Sequence, residues 1–534
     1  MLRWLSGLSG AGIFLSASLL AQSGLAQVAC LPIDRIEVTG TSLVTHAEIA
    51  AAIAPYEGGC IGIEGINAAL EAVTFAYVDR GYIASRAYLP EQDIADRVLD
   101  IAVVEGQLSS IYFNGEIKPI WQAIAFPGLI GDPANLREIE QGLEVIRGMP
   151  AFDATMEIRA GEAEGESVLD VTAEADKRWS LRFGADNHNR TREEYPETLY
   201  NSTVDLTYDH LLGLNESWSF GYSRGTEEAP FKFDNIGEVT TGYSARVLFP
   251  YGPWTLEAEY RYTHYKTDTL GPIELIGTDG WANTGTLSLS RILLRGQDSK
   301  TRARATLEWR ENVDRIAGIQ IDVTSRTLAS ARINLQHERV LLGGSFNARL
   351  GVEQGLTIFG AERFEDKPVG SPNAQFLLVD FGLDYYRTWQ GDLGAFSYSG
   401  SISGQWSEDK LYGAYMLSIV GLSSVRGAKG ISSDDPNSSV VSGNSGLVWR
   451  NELSWTPPLN LPNWMGQIQL YGAIDAGAIY ADADFAPPFV GSAVGLRTVG
   501  GNLSFDVGYQ QLLRLPNGAE PPDGILLVSI SAKY

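Results

Sequence analysis

The segment Gly466-Gln467-Ile468-Gln469-Leu470-Tyr471-Gly472-Ala473-Ile474-Asp475 alternates between side chains that need opposite surroundings. In an extended strand, Ile468, Leu470 and Ile474 fall on one face, and Gln467, Gln469 and Asp475 on the other. The chain's last segment repeats the pattern, with Leu526, Val528, Ile530 and Tyr534 opposite Ser529, Ser531 and Lys533. A soluble β-sandwich is built from such strands too. From Trp179 onward, however, segments of about ten alternating residues follow one another, separated by clusters of Gly, Asn, Asp and Pro, as in a transmembrane barrel. Sixteen are read, from 179–187 and 201–210 to 501–511 and 524–534. The pattern predicts an antiparallel all-β barrel, with lipid against the apolar face and a polar lumen. The even count places both ends of the barrel on one side of the membrane.

The rest of the chain fits an exported protein. Arg3 precedes a small, apolar run, Gly10 to Leu20, too short to span a bilayer. Gly24-Leu25-Ala26 is a small-x-Ala cleavage site, so residues 1–26 are expected to be a signal peptide. No later apolar run is long enough for a spanning helix. The formal charge of −25 argues against a nucleic-acid partner, since phosphates need Lys and Arg. The only two cysteines, Cys30 and Cys60, lie close together near the start of the mature chain. In an exported chain they are most simply one disulfide, closing a 30-position loop and stabilising its domain by roughly 3–4 kcal/mol.

Between Cys30 and Glu174 helix and strand signals mix. Ile33–Val38 alternates like a strand. Thr45-His46-Ala47-Glu48 is a capping box that starts a short helix. A second helix carries Ile66, Leu70, Val73 and Tyr77 on one face, with Gly81 beyond its end, and two strands follow at Ile83–Leu89 and Val98–Val104. The pattern then recurs: a strand at Leu108–Phe113, and a helix expected to start at Asp132-Pro133, with Leu136, Ile139, Leu143 and Ile146 on its apolar face. Two strands, Thr155–Arg159 and Val168–Glu174, close it. The expected organisation is therefore two small α+β domains, 27–106 and 107–176, ahead of a barrel at 177–534.

The run Arg80-Gly81-Tyr82-Ile83-Ala84-Ser85-Arg86-Ala87-Tyr88-Leu89-Pro90-Glu91-Gln92-Asp93, followed by Val103-Val104-Glu105-Gly106, resembles the first POTRA domain of two-partner secretion transporters. Leu143 to Ala160, with Gly165 and Ser167-Val168-Leu169, resembles their second. The barrel carries two further marks of that superfamily. A long Gly- and Ser-rich loop at 406–443 contains Ser424-Val425-Arg426-Gly427, and the wall segment Asp475-Ala476-Gly477 matches the family's Asp-x-Gly. The resemblance implies that the loop folds into the lumen and that Arg426 meets Asp475. Val425 and Gly427 complete the loop motif. Two positions depart from the family: Ala473 and Ala428 stand where aromatics are usual, which puts the packing around the pair in question. The plug helix of related transporters has no room in Gln27–Ala29, so if the pore is blocked at rest, the long loop is expected to do it. Tyr534 resembles the terminal aromatic by which outer-membrane barrels are recognised for insertion.

The resemblance further implies an outer-membrane location with periplasmic POTRA domains. The partner it implies is a large secreted exoprotein, a β-helix of haemagglutinin or haemolysin type, bound unfolded and exported without ATP through a monomeric barrel. The second small domain is expected to contribute to client capture through Leu136, Ile139, Leu143 and Val171. No P-loop, nucleophile elbow, His-Glu-x-x-His or Cys/His zinc spacing occurs, so neither cofactor, metal nor enzymatic activity is expected. The alternatives are an insertase for other barrels, which usually carries more POTRA domains, and a diffusion porin, which needs none.

Overall fold

The computed structural model describes residues 30–534 except 176, 189–199, 227–228, 232–238, 271–274, 367, 369, 422, 429–440 and 482–483. The expected signal peptide and Gln27–Ala29 lie outside the described residues.

Residues up to Gly106 form one unit. Cys30 and Cys60 are bonded, with their Cα atoms 5.3 Å apart. The bond sits at the end of a small ribbon made by β1 (Leu31–Ile33) and β3 (Gly59–Ile61), in which Pro32 pairs with Cys60. The strand expected at Ile33–Val38 is therefore split at Asp34, and its second part is β2 (Arg35–Thr39). Thr45 and Glu48 close the capping box of α1 (His46–Ile53), each accepting a hydrogen bond from the other's backbone N–H. Helix α2 (Ile63–Asp79) buries Ile66, Ala69, Val73 and Tyr77. They pack with Leu99, Ile101 and Val103, alternate residues of β5 (Val98–Val104). β5 pairs parallel with β2 and antiparallel with β4 (Arg86–Tyr88). The expected strand Ile83–Leu89 is thus reduced to three residues, because Gly81 to Ser85 form turns after the helix. Glu105 fastens the segment after β2: its carboxylate accepts from the Ser42 and Leu43 N–H groups at 2.6 and 2.8 Å, from the Ser42 hydroxyl and from Tyr77 Oη. Burial pushes this carboxyl up, but the hydrogen bonds outweigh it and hold it below the ordinary glutamate range.

The remaining residues form the second unit. Its small domain comprises β6 (Gln107–Phe113), α3 (Pro119–Ala125), α4 (Leu136–Arg147), β7 (Asp153–Ala160) and β8 (Glu166–Glu174). β8 is central, parallel to β6 and antiparallel to β7, which leaves β7 as an edge. The helix expected from Asp132-Pro133 begins instead at Leu136, because the Asn135 side chain accepts from Arg137 N–H and caps it there. Pro133 is held in a bridge with Gln107.

Sixteen strands close the barrel in sequence order. They are β9 (Trp179–Asp186), β10 (Tyr200–Asp209), β11 (Ser217–Thr226), β12 (Val239–Tyr251), β13 (Trp254–Leu270), β14 (Leu275–Arg295), β15 (Ser299–Ile316) and β16 (Arg326–Leu341). Then come β17 (Gly344–Leu356), β18 (Leu377–Gly391), β19 (Gly394–Trp406), β20 (Ser445–Thr456), β21 (Gln467–Ala481), β22 (Phe489–Val499), β23 (Leu503–Arg514) and β24 (Ile525–Lys533). β24 pairs back onto β9, and Tyr534 exchanges both backbone hydrogen bonds with Leu181. Every expected strand has its counterpart, and the alternation holds: Ile474, Val494 and Ile530 are outward and exposed, whereas Asp475 is fully buried. Several strands outrun the expectation, β14 reaching 21 residues. The strand continues through Thr278-Asp279-Gly280, where no apolar alternation marks it.

The second small domain rests against three turns at its end of the barrel. Ala151 N–H donates to Asp209 at 2.7 Å, Trp121 Nε1 donates to His210 Nε2 at 3.0 Å, and Gly252 N–H donates to the Ile124 carbonyl at 2.7 Å. Glu144 on α4 meets Arg295 and Lys300. Among the described residues no helix is long and apolar enough to cross a membrane.

Candidate functional site

The connection from β19 to β20 runs into the barrel. Leu417–Ser418 pairs with Ser442–Gly443. Ile419 N–H donates to the Val441 carbonyl at 2.7 Å, and Val425 N–H to the Ile419 carbonyl at 3.1 Å. This small hairpin presents Arg426 to the wall. Residues 429–440 of the loop lie outside the described residues.

Arg426 and Asp475 meet as a fork. Nε and Nη2 of Arg426 donate to the two carboxylate oxygens at 2.7 and 2.9 Å, and the Arg426 backbone N–H adds a third bond at 3.1 Å. Asn451 N–H donates to the same carboxylate at 3.3 Å, and Arg450 Nε stands 3.9 Å away. The carboxylate, out of reach of water, is thus surrounded by donors, which is the condition under which a buried charge is tolerated. The third nitrogen of Arg426, Nη1, donates to Glu452 on β20 at 2.6 Å. Glu452 in turn accepts from Arg497 on β22 at 2.5 Å. Arg497 lies over the ring of Tyr471, 4.8 Å from its centroid, and Tyr471 Oη donates to Asp506 at 2.9 Å. The loop tip therefore engages a chain of charges running over β20, β21, β22 and β23.

Apolar packing surrounds the pair. Ile419, Val425 and Ala428 from the loop are buried with Val448, Ile479, Phe489, Leu512 and Leu515. Two glycines permit the close approach. A Cβ on Gly491 would lie 1.8 Å from the Arg426 carbonyl oxygen, and one on Gly427 would lie 2.5 Å from the Gln511 backbone. Gly427 also has φ +82°, which favours glycine. Phe489, from the wall, lies in the cluster that buries Ala428, and Tyr471 supplies an aromatic ring two residues before Ala473.

Of the residues expected to matter, Val425, Arg426, Gly427 and Asp475 come together, and Cys30 meets Cys60. The expected client-binding residues do not form a surface. Ile139, Leu143 and Val171 are core side chains of the second small domain, and Leu136 is half-buried. The apolar face that marks α4 in the sequence is the face it buries. Glu452, Arg497 and Tyr471 were not singled out by sequence. Each is one polar residue among many on the lumen face, and only the strand register shows which of them meet.

A family model described as haemolysin secretion/activation protein ShlB/FhaC/HecB matches residues 165–498. A ShlB-type POTRA domain model matches residues 31–106, and a second POTRA domain model matches 108–160. Outer membrane transporter CdiB of Escherichia coli O6:K15:H31 (strain 536 / UPEC) is 32% identical over 479 residues, covering 89% of this chain and 78% of the relative. Outer membrane transporter CdiB of Dickeya dadantii (strain 3937) is 30% identical over 508 residues, covering 95% and 87%. The solved structure of CdiB from Escherichia coli superposes with a TM-score of 0.85 at 28% identity, covering 97% of this chain and 93% of that one.

Proposed function

Because the chain belongs to the haemolysin secretion/activation family of outer-membrane transporters, we propose that it captures one large exoprotein in the periplasm and exports it unfolded. The barrel lies in the outer membrane and the two POTRA domains in the periplasm. The signal peptide 1–26 takes the chain across the inner membrane, and the barrel acts as a monomer.

Capture uses backbone. β7 is an edge strand of the second POTRA sheet, and an extended client adds to such an edge through main-chain hydrogen bonds. The buried Ile139, Leu143 and Val171 act by holding α4 against the sheet. Export uses the lumen. At rest the loop occupies it, with Arg426 on Asp475, and the client displaces the loop. The outer membrane supplies no ATP, so the client's folding outside, into a β-helix of haemagglutinin or haemolysin type, withdraws chain from the periplasm and gives direction.

The observation that carries this reading is the forked contact of Arg426 with Asp475 inside the lumen of a chain that also has two POTRA domains. A diffusion porin needs neither feature. The test is to sequence the adjacent gene and co-express the large secreted β-helix protein expected there with the full chain, in a Gram-negative host lacking both. Exoprotein in the medium only when the transporter is present supports the reading. Exoprotein retained in the periplasm beside a correctly inserted barrel refutes it.

A further inference from the structure

The loop touches the wall at a second place, well before Arg426. After β19 the chain makes a 3-10 turn at Gly413–Tyr415. Here Leu411, Tyr412 and Tyr415 are buried with Leu328 on β16, Leu378 on β18, and Ala374 and Phe376 from the connection between β17 and β18. The rings of Tyr415 and Phe376 are 4.4 Å apart. The Arg326 guanidinium lies over the Tyr412 ring at 4.7 Å, and that of Arg310 lies 5.8 Å from the Tyr415 ring. Tyr412 Oη donates to Glu362 at 2.7 Å, and Gln405 Nε2 donates to the Tyr415 carbonyl at 2.9 Å.

This contact shares no residue with the cluster around Arg426. It lies on β15, β16 and β18, whereas Arg426 lies on β20 and β21. In a closed wall of sixteen strands, β16 and β21 are five strands apart. A loop fastened to both sectors is held to the wall on either side of the two strands it joins. Cavities of about 350 and 560 Å³ flank the tyrosine turn, lined by Arg332, Arg349 and Glu353 on one side and by Arg261 and Asn312 on the other.

We propose that Tyr412 and Tyr415 are positioning residues that form a second, independent anchor of the lumen loop. They hold its first limb on β15–β18 whether or not Arg426 is docked. Freeing the tip alone then leaves part of the loop across the pore, and full opening requires both contacts to yield. The physical basis is that two buried rings, each facing a guanidinium, bind through dispersion and cation–π attraction, which a change at Asp475 does not touch. The proposal rests on the reading of the loop as a gate.

The experiment is the planar-bilayer conductance of the full chain, which needs no client and so is separate from the secretion test. Four proteins are compared: wild type, Arg426→Ala, Tyr412→Ala/Tyr415→Ala, and the triple variant. The tyrosine pair is expected to raise mean current severalfold on its own, and the triple variant to multiply the two single effects. Tyr412→Phe/Tyr415→Phe keeps both rings and is expected to conduct far less than the alanine pair. Wild-type current in the alanine pair, or a triple variant no more conductive than Arg426→Ala, overturns the second anchor and leaves the transport reading untouched. Equal current in the phenylalanine and alanine pairs also overturns it. Should the alanine pair fail to insert, Arg326→Gln takes its place, removing the cation over Tyr412 from the wall side. The expected result is again a raised current, and unchanged current overturns the proposal.

Discussion

Asp475→Ala is the change whose consequence the geometry fixes most tightly. The side chain is fully buried and accepts two bonds from the Arg426 guanidinium and one from its backbone N–H. Removing one member of a buried ion pair costs roughly 3–5 kcal/mol, because the other charge stays buried without its partner. Here Arg426 keeps its 2.6 Å bond to Glu452, which places the loss near the lower end of that range. At about 1.4 kcal/mol per factor of ten, loop docking weakens by roughly two orders of magnitude. The loss falls mainly on the loop, because the wall loses only the 3.3 Å bond from Asn451 N–H while the backbone pairing of β20 with β21 remains. Two assays read it: protease cleavage of the loop from outside in intact cells, and secretion of the partner exoprotein. Cleavage should rise and secretion fall while heat-modifiable barrel persists at wild-type amount. Arg426→Ala should act alike, and the double variant should be little worse than either, because both remove one contact. Arg426→Lys should restore only part, since an ammonium cannot make the planar fork. Full addition of the two single effects would show that these residues act separately and would refute the pair as a unit.

Three further outcomes follow from other sites. Gly491→Ala places a methyl 1.8 Å from the Arg426 carbonyl oxygen and should reproduce the loop release of Arg426→Ala with its charges intact; a tight, protease-resistant loop would contradict it. Thiol titration of the denatured, unreduced chain should find no free thiol, and Cys60→Ala should lower the stability of the first POTRA domain by roughly 3–4 kcal/mol while the barrel still inserts. Glu105 has a carboxyl lowered in the folded state, so its contribution to stability is present above about pH 4.5 and lost as pH falls through its lower folded value. Denaturant unfolding of that domain, followed by cysteine-independent fluorescence across this acid range, should show a steeper loss in wild type than in Glu105→Gln.

Alternation along a strand reveals which face a residue takes, and this made the barrel legible, with Asp475 inward and Ile474 outward. It is silent on register. Glu452 joins the site because Ala473 is its partner across β20 and β21 and Arg450 is that of Asp475, a pairing set by turn lengths and neighbouring strands rather than by either sequence alone. The same limit hid Arg497 and Tyr471. Helix α3 was missed for a local reason: it has seven residues, and Lys118 before it offers no side-chain cap. Ile139 and Leu143, expected to meet the client, are buried because an apolar helical stripe marks what a helix buries, and in a domain this small that stripe faces the domain's own sheet. Tyr412 and Tyr415 carry no motif. Only their burial against β16 and β18 distinguishes them from other loop aromatics.

Transport of an unfolded client without nucleotide is the central claim, and it is tested most directly with the transporter alone. The full chain is placed in proteoliposomes with its POTRA domains outward, and a urea-unfolded candidate exoprotein is diluted onto them without ATP. Exoprotein should become protected from added protease inside the vesicles, and vesicles carrying Arg426→Ala should protect markedly less. No protected exoprotein, in vesicles whose barrels still conduct, would contradict the account.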